Sequence, residues 1–143
     1  MNILFYGYGN HARRIKKYLD EYIKIPKTYC YLNRNIKNID NKNTFKSIKE
    51  SSNLFNYFSC AFITSPNDYH LEHLKDCLKY RIPYIYIEKP AIGVEEFFRN
   101  PKFIKYDLKF VQVGYQYNYS PPIKNLKNIL ENNSYGHLLK LDL

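Results

Sequence analysis

The opening residues, MNILFYGYGNHA, place two glycines between a short apolar run and a segment with helical periodicity. Residues 2–6 are predicted to form a buried strand, and residues 11–24 are predicted to form a helix with one apolar face. Gly7, Gly9 and Ala12 match the pattern G-x-G-x-x-G/A at the junction. This order of strand, glycine turn and helix constrains the fold strongly, because it is typical of the first unit of a parallel βαβ arrangement.

The remainder of the chain continues the alternation of strands and helices. Further strands are predicted at residues 28–32, 60–64, 84–87 and 109–115, and a last one is predicted to begin in 137–143. Further helices are predicted at 68–80 and 121–131, with shorter ones at 94–99 and within 44–58, and residues 33–43 are predicted to be a loop. We therefore predict an α/β fold, a Rossmann-type doubly wound, mostly parallel sheet with helices on both faces.

The helix periodicity also predicts which apolar side chains share one side of each helix, and those of the second helix are predicted to point inward. These are Ile15, Tyr18, Leu19, Tyr22 and Ile23 in the first helix, Leu71, Leu74 and Leu78 in the second, and Ile123, Leu126 and Leu130 in the last. Ser120 is predicted to be the N-cap of the last helix, ahead of two prolines that suit its first turn.

Composition narrows the classes of protein. The 143 residues suit one ordinary domain, and neither a membrane span nor a signal peptide is indicated, so we expect a cytoplasmic protein. The net charge is +9, but the lysines are spread along the chain without a basic helix stripe, so a nucleic-acid partner is not predicted. The three cysteines form no CxxC pair, and His70 and His73 have no evident third ligand, so no metal site is predicted.

The glycine loop predicts dinucleotide binding. Gly7 would permit a tight turn, Gly9 would let the backbone approach a pyrophosphate, and Ala12 would allow close contact between helix and strand. The N–H groups of the helix N-terminus, which begins at Asn10 and His11, would face the phosphates. The alternative is a glycine turn used only for packing, and His11 fits a solvated position equally well.

The end of the second strand bears on the choice of cofactor. An acid is expected there if the adenine ribose is held as in NAD enzymes. This chain has Asn33 and Arg34 instead, and Arg34 would suit a 2′-phosphate. The sequence thus favours NADP over NAD, and the alternative is a solvated arginine in a polar loop.

A second group of candidate residues follows the strand at 60–64. Thr64, Ser65, Pro66 and Asn67 are expected at the carboxyl end of that strand, where ligands bind in doubly wound sheets. His70 would lie in the first turn of the next helix and face the same crevice.

A third group follows the strand at 84–87. Glu88, Lys89 and Pro90 are expected at the same edge of the sheet, where Lys89 would exchange a proton with a substrate oxygen and Glu88 would orient it. The alternative for this pair is an ion pair at a surface turn.

Three segments in order, ILFYGYGNHA, AFITSPNDYHLEHL and IYIEKP, resemble the N-terminal domain of the Gfo/Idh/MocA oxidoreductases, the glucose–fructose oxidoreductase and inositol dehydrogenase family. VGYQYNYSPPIKNLKNIL and YGHLLKLDL also resemble the family's crossover into its second domain. The resemblance implies a dinucleotide-binding domain at residues 1–120, with 121–143 as the crossover helix and first strand of an α+β domain. It also implies that Lys89 lies near the nicotinamide and the substrate.

The resemblance implies an NAD(P)-dependent oxidoreductase that transfers hydride between nicotinamide and a sugar or cyclitol alcohol or ketone. The chain departs from the family at Asn118, where an arginine is usual, and in lacking the acid after the second strand. Because the chain stops at Leu143, we expect it to bind NAD(P) with little turnover alone. The alternative function is a non-catalytic nucleotide or nucleotide-sugar binding module. An unpaired last strand would favour a homodimer or a disordered tail.

Overall fold

A computed structural model gives the structure of residues 1–32, 43–51, 54–91, 93, 110–115, 120–132 and 136. The strands within this part are β1 (Asn2–Tyr6), β2 (Thr28–Leu32), β3 (Thr44–Phe45), β4 (Cys60–Ile63), β5 (Tyr84–Ile87) and β6 (Phe110–Val113). The helices are α1 (Asn10–Tyr22), α2 (Ile48–Ser51), α3 (His70–Lys79) and α4 (Pro121–Glu131), with a 3₁₀ turn at Asn67–Tyr69. Most of the predicted loop at 33–43, the predicted helix at 94–99 and the predicted strand at 137–143 lie outside the described residues.

The strands form one sheet in the order β3-β2-β1-β4-β5-β6, and each neighbouring pair is parallel. Strand order therefore reverses between β1 and β4, which is the switch point of a doubly wound sheet. The predicted Rossmann-type fold is confirmed. Its parallel character fits the helices α1, α2 and α3, which lie between β1 and β2, between β3 and β4, and between β4 and β5.

The register of the sheet aligns the carboxyl ends of five strands. Tyr6 pairs with Leu32 on one side and with Ile63 on the other, and Ile63 pairs in turn with Ile87. Ile87 pairs with Val113. The residues that follow these strand ends consequently lie side by side along one edge of the sheet.

Helices cover both faces of the sheet, as predicted. On one face α1 packs through Ala12 against Ile3 and Phe5. On the other face α3 packs through Leu74 and Leu78 against apolar side chains of β1, β4 and β5. Because successive strand residues point to opposite faces, the apolar run of each central strand supplies both cores.

Several local predictions are corrected. Tyr18 and Tyr22 of α1 are 54% and 70% exposed, and their rings stack on each other 6.1 Å apart at the surface. The stripe of α1 that faces the sheet is narrower, since it runs through Ala12, Ile15 and Leu19.

Strand β3 was not predicted, because two residues in a polar context carry no readable alternation. Ser120 occupies the N-cap position of α4 with extended backbone, but its side chain makes no capping hydrogen bond. Among the described residues, no helix is both long and apolar enough to cross a membrane.

Candidate functional site

Gly7, the first residue after β1, lies against the loop that follows β4. It has φ +84°, and a Cβ at this position would lie 3.1 Å from Ser65 Cα and 3.1 Å from the Thr64 carbonyl oxygen. Its N–H donates to the Leu32 carbonyl at 3.0 Å. Glycine is needed here for both reasons, because other residues strain at positive φ and a side chain would push the two loops apart.

Gly9 is different, since neither backbone nor packing requires a glycine. It is the N-cap of α1 with φ −79°, and a Cβ built on it would meet no protein atom within 4 Å. No side chain caps this helix, and no acidic residue lies in its first turn. The backbone N–H groups of Asn10 and His11 thus begin a helix whose N-terminus is open to an approaching anion. Ala12, fully buried, holds the helix close to the sheet.

The loop after β4 is tied to the glycine loop by hydrogen bonds. The Thr64 N–H donates to the Tyr6 carbonyl at 3.0 Å. The Thr64 hydroxyl lies 3.1 Å from that carbonyl and 3.2 Å from the Gly7 carbonyl. Pro66 and Asn67 follow, exposed at the start of the 3₁₀ turn. The two loops that the sequence predicted to share a site are therefore in direct contact.

His70 differs from the expectation that it faces the crevice. Its side chain is fully buried, with Nε2 2.8 Å from the Ser65 carbonyl and Nδ1 3.1 Å from the Pro90 carbonyl. A neutral imidazole has a single N–H, so it donates to one of these carbonyls at a time. His70 links the loop after β4 to the loop after β5, and both of its ring nitrogens face protein.

The Glu88 carboxylate contacts two side chains at the end of β5. The Tyr86 hydroxyl donates to Glu88 Oε2 at 2.8 Å, and His11 Nε2 lies 2.7 Å from the same oxygen without the alignment of a hydrogen bond. Burial, and then the neighbouring Glu88, raise the pKa of Tyr86 above its usual range. Lys89 is exposed at the edge of the sheet, and the Lys89–Pro90 peptide bond is cis.

Gly114, directly after β6, makes room for this contact and was missed from the sequence. A Cβ at Gly114 would overlap the Tyr86 hydroxyl and lie 3.2 Å from Glu88 Oε2. Tyr86 was also missed, although its position two residues before Glu88 places both on one face of an extended strand. That spacing was a signal which could have identified the tyrosine.

A cavity of about 580 Å³ opens at the switch point, in the size range of small-molecule sites. Its walls come from the ends of β1 and β2, the loops after β3 and β4, and one side of α3. The Tyr6 ring stacks on His73 at 4.2 Å, and His73 stacks on Tyr69 at 5.9 Å. The Tyr6 hydroxyl is buried beside Cys77, and burial raises the pKa of Tyr6 far above its usual range.

This aromatic wall was not predicted. The sequence places Tyr6 in the buried strand β1, Tyr69 in the first turn of the predicted helix at 68–80, and His73 in a histidine pair without a third metal ligand. Ser65 Oγ lies 2.8 Å from His73 Nδ1, which joins the wall to the loop after β4. Within the described part of the chain, no group of three histidine, cysteine or acidic side chains could hold a metal ion.

The structure brings three predicted segments to one edge: the glycine loop, the loop after β4, and the loop that carries Glu88, Lys89 and Pro90. Asn33, Arg34 and Asn118 lie outside the described residues. Fold and edge together define a Rossmann-type domain with a glycine loop at its switch point.

No protein-family model matches the sequence, and no curated protein matches it. Solved structures do match. Apo scyllo-inositol dehydrogenase from Lactobacillus casei superposes with a TM-score of 0.74 at 16% identity, covering 95% of this chain and 42% of that one. Myo-inositol 2-dehydrogenase from Lactobacillus plantarum superposes with a TM-score of 0.74 at 20% identity, covering 95% of this chain and 42% of that one.

These matches confirm the predicted resemblance as a likeness of fold over nearly the whole chain. The chain spans about two-fifths of the length of the dehydrogenases that it matches.

Proposed function

We propose that this chain is the NAD(P)-binding domain of an oxidoreductase that transfers hydride between nicotinamide and an alcohol or ketone carbon of a sugar or cyclitol. The observation that carries the proposal is Gly9. At the switch point of the sheet, a Cβ on this residue would meet no protein atom, and the helix behind it has no capping side chain and no acid. A glycine that packing does not need is expected where a ligand approaches the backbone.

The described residues fit a dinucleotide along the carboxyl edge. The pyrophosphate would bind the first N–H groups of α1, beside Asn10 and His11. The adenosine half would lie toward the cavity of about 580 Å³ between the end of β2 and the loop after β4. The nicotinamide half would then extend toward Glu88 and Lys89 at the end of β5.

Lys89 is the proposed catalytic residue of this chain. The nicotinamide, when bound, supplies the hydride donor or acceptor. Lys89 would donate a proton to the substrate oxygen when a ketone is reduced, and the neutral amine would accept it when an alcohol is oxidised. Glu88, held by the Tyr86 hydroxyl, supplies a fixed negative charge one residue from the lysine and would keep its ammonium group near the edge.

NADP is the preferred cofactor in this proposal. The three residues directly after β2 are Asn33, Arg34 and Asn35, and none of them carries a carboxylate that would repel a 2′-phosphate. The sugar or cyclitol class of substrate is supported by the likeness of fold to the two inositol dehydrogenases.

A titration of the 143-residue chain with NADPH, NADH and UDP-glucose, followed by nicotinamide fluorescence and by calorimetry, tests the proposal. Saturable binding of a reduced dinucleotide is the expected result. Binding of UDP-glucose alone would favour a nucleotide-sugar binding module instead. Absence of binding by both dinucleotides would overturn the proposal.

A further inference from the structure

Arg13 points away from Glu88, toward β2. His11 and Arg13 flank the buried Ala12 in the first turns of α1, and His11 contacts the end of β5. Residues on either side of an inward-facing helix position lie about 100° to each side of it. Arg13 is consequently on the opposite flank of the helix, where the neighbouring strand is β2.

Ring contacts place the Arg13 guanidinium near the end of β2. Its Cζ lies 5.7 Å from the centre of the Tyr8 ring, and the Tyr8 ring lies 4.3 Å from the ring of Tyr31. Tyr31 precedes Leu32, the last residue of β2, whose carbonyl accepts the hydrogen bond from the Gly7 N–H. The arginine, the glycine loop and the end of β2 are thereby joined by a short chain of contacts.

The groove along this side of α1 is basic at the end that faces the glycine loop. It has a volume of about 610 Å³, and its walls are Tyr8, Arg13, Lys16, Lys17, Asp20 and Glu21. Lys16 is paired with Asp20 at 2.6 Å. Asp20 and Glu21 lie seven and eight residues beyond Arg13, which is about 10–12 Å along a helix, so their charges at Arg13 are largely screened.

We propose that Arg13 is a specificity-determining residue that binds the 2′-phosphate of NADP and so selects NADP over NAD. The inference rests on the proposed dinucleotide function. The ribose 2′ position of a dinucleotide on this fold lies at the end of β2, where NADP enzymes use an arginine. A guanidinium suits a phosphate because its planar N–H groups bind two oxygens at once, and the Tyr8 ring offers it a cation–π contact.

Affinities of four proteins for NADPH and NADH test the inference: the wild type, Arg13→Ala, Arg13→Lys and Arg14→Ala. Arg14 is the matched control, since it is the adjacent exposed arginine and its loss changes the net charge equally. We expect the wild type to bind NADPH at least about tenfold more tightly than NADH. This ratio corresponds to the free energy that one hydrogen bond between charged groups contributes. Arg13→Ala should lose about ten- to a hundredfold in NADPH affinity with little change for NADH. Arg13→Lys should recover part of the loss, and Arg14→Ala should keep the wild-type preference.

The outcomes separate the inference from the function on which it rests. Three results would overturn the role of Arg13 while dinucleotide binding stands. Arg13→Ala could lose NADPH and NADH affinity equally, Arg14→Ala could lose the preference for NADPH to the same extent as Arg13→Ala, or the wild type could prefer NADH. A wild type that binds neither dinucleotide would overturn both. Thermal melting of each variant checks the fold, which an exposed arginine should leave unchanged.

Discussion

His11 Nε2 lies 2.7 Å from Glu88 Oε2, which joins the first turn of α1 to the loop after β5. The contact brings an imidazole between the proposed pyrophosphate position and a carboxylate. The imidazole covers the Glu88 carboxylate, whose charge would otherwise repel an anionic ligand at the helix N-terminus.

Replacing His11 by alanine should therefore weaken dinucleotide binding more than it weakens folding. Because both side chains are partly exposed, we expect less than about 1 kcal/mol of change in the free energy of unfolding. The affinity for NADPH should fall by about three- to tenfold, measured by fluorescence titration. His11→Ala combined with Glu88→Gln should recover most of the affinity, since the uncompensated charge is gone. A double variant as weak as His11→Ala would show that the histidine acts in another way.

Gly114→Ala should disrupt the hydrogen bond between Tyr86 and Glu88. The added methyl group would overlap the Tyr86 hydroxyl, so that side chain must move. We expect a loss of about 1–3 kcal/mol in the free energy of unfolding by urea. Tyr86→Phe combined with Gly114→Ala should lose less than the sum of the two single variants, because the phenylalanine lacks the overlapping oxygen. Strict additivity in this cycle would count against the observed contact.

Stability should fall as the pH rises from about 9, because the buried thiol of Cys30 and the half-buried thiol of Cys60 lose their protons at higher pH in the folded chain than in the unfolded one. Burial raises the pKa of Cys30 to about 12 and that of Cys60 to about 11, from an ordinary value of 9.0. Above that value the unfolded chain binds fewer protons than the folded one, so the free energy of unfolding decreases with pH.

Cys30→Ala isolates one thiol. Cys30 is fully buried, and each such group contributes a slope of up to about 1.4 kcal/mol per pH unit between the two pKa values. We measure the free energy of unfolding by urea at several pH values between 9 and 10. We expect it to decrease less steeply with pH in Cys30→Ala than in the wild type, whatever the variant's absolute stability. Identical slopes would contradict the contribution of this thiol.

The sequence predicted the central strands well because each is a short, continuous apolar run between polar segments. Asn2–Tyr6, Thr28–Leu32 and Tyr84–Ile87 form as predicted. The outward position of Tyr18 and Tyr22 was not predicted, because periodicity marks which residues share a flank but not how wide a stripe the sheet covers.

Site positions were predictable from strand ends, whereas side-chain directions were not. A parallel sheet brings the residues after β1, β4 and β5 to one edge, so their proximity follows from topology alone. The burial of His70 depends on the carbonyls of Ser65, in the loop just before it, and of Pro90, in the loop after β5, and these come together only in the folded chain. The same reason hid Gly114, whose partner Tyr86 lies on the neighbouring strand.

Dinucleotide binding at the N-terminus of α1 is tested most directly by the NADPH affinity of Gly9→Ala. Gly7→Ala is the comparison variant. Its methyl group would lie close to Ser65 and its backbone would have a positive φ, so it should reduce the free energy of unfolding by about 1–3 kcal/mol. Gly9→Ala should fold at least as stably as the wild type, because its backbone suits alanine and no protein atom is near. We predict that it nevertheless loses at least about tenfold in NADPH affinity, since the methyl group occupies the approach to the helix N-terminus. A stable Gly9→Ala protein that binds NADPH as tightly as the wild type would contradict the proposed site.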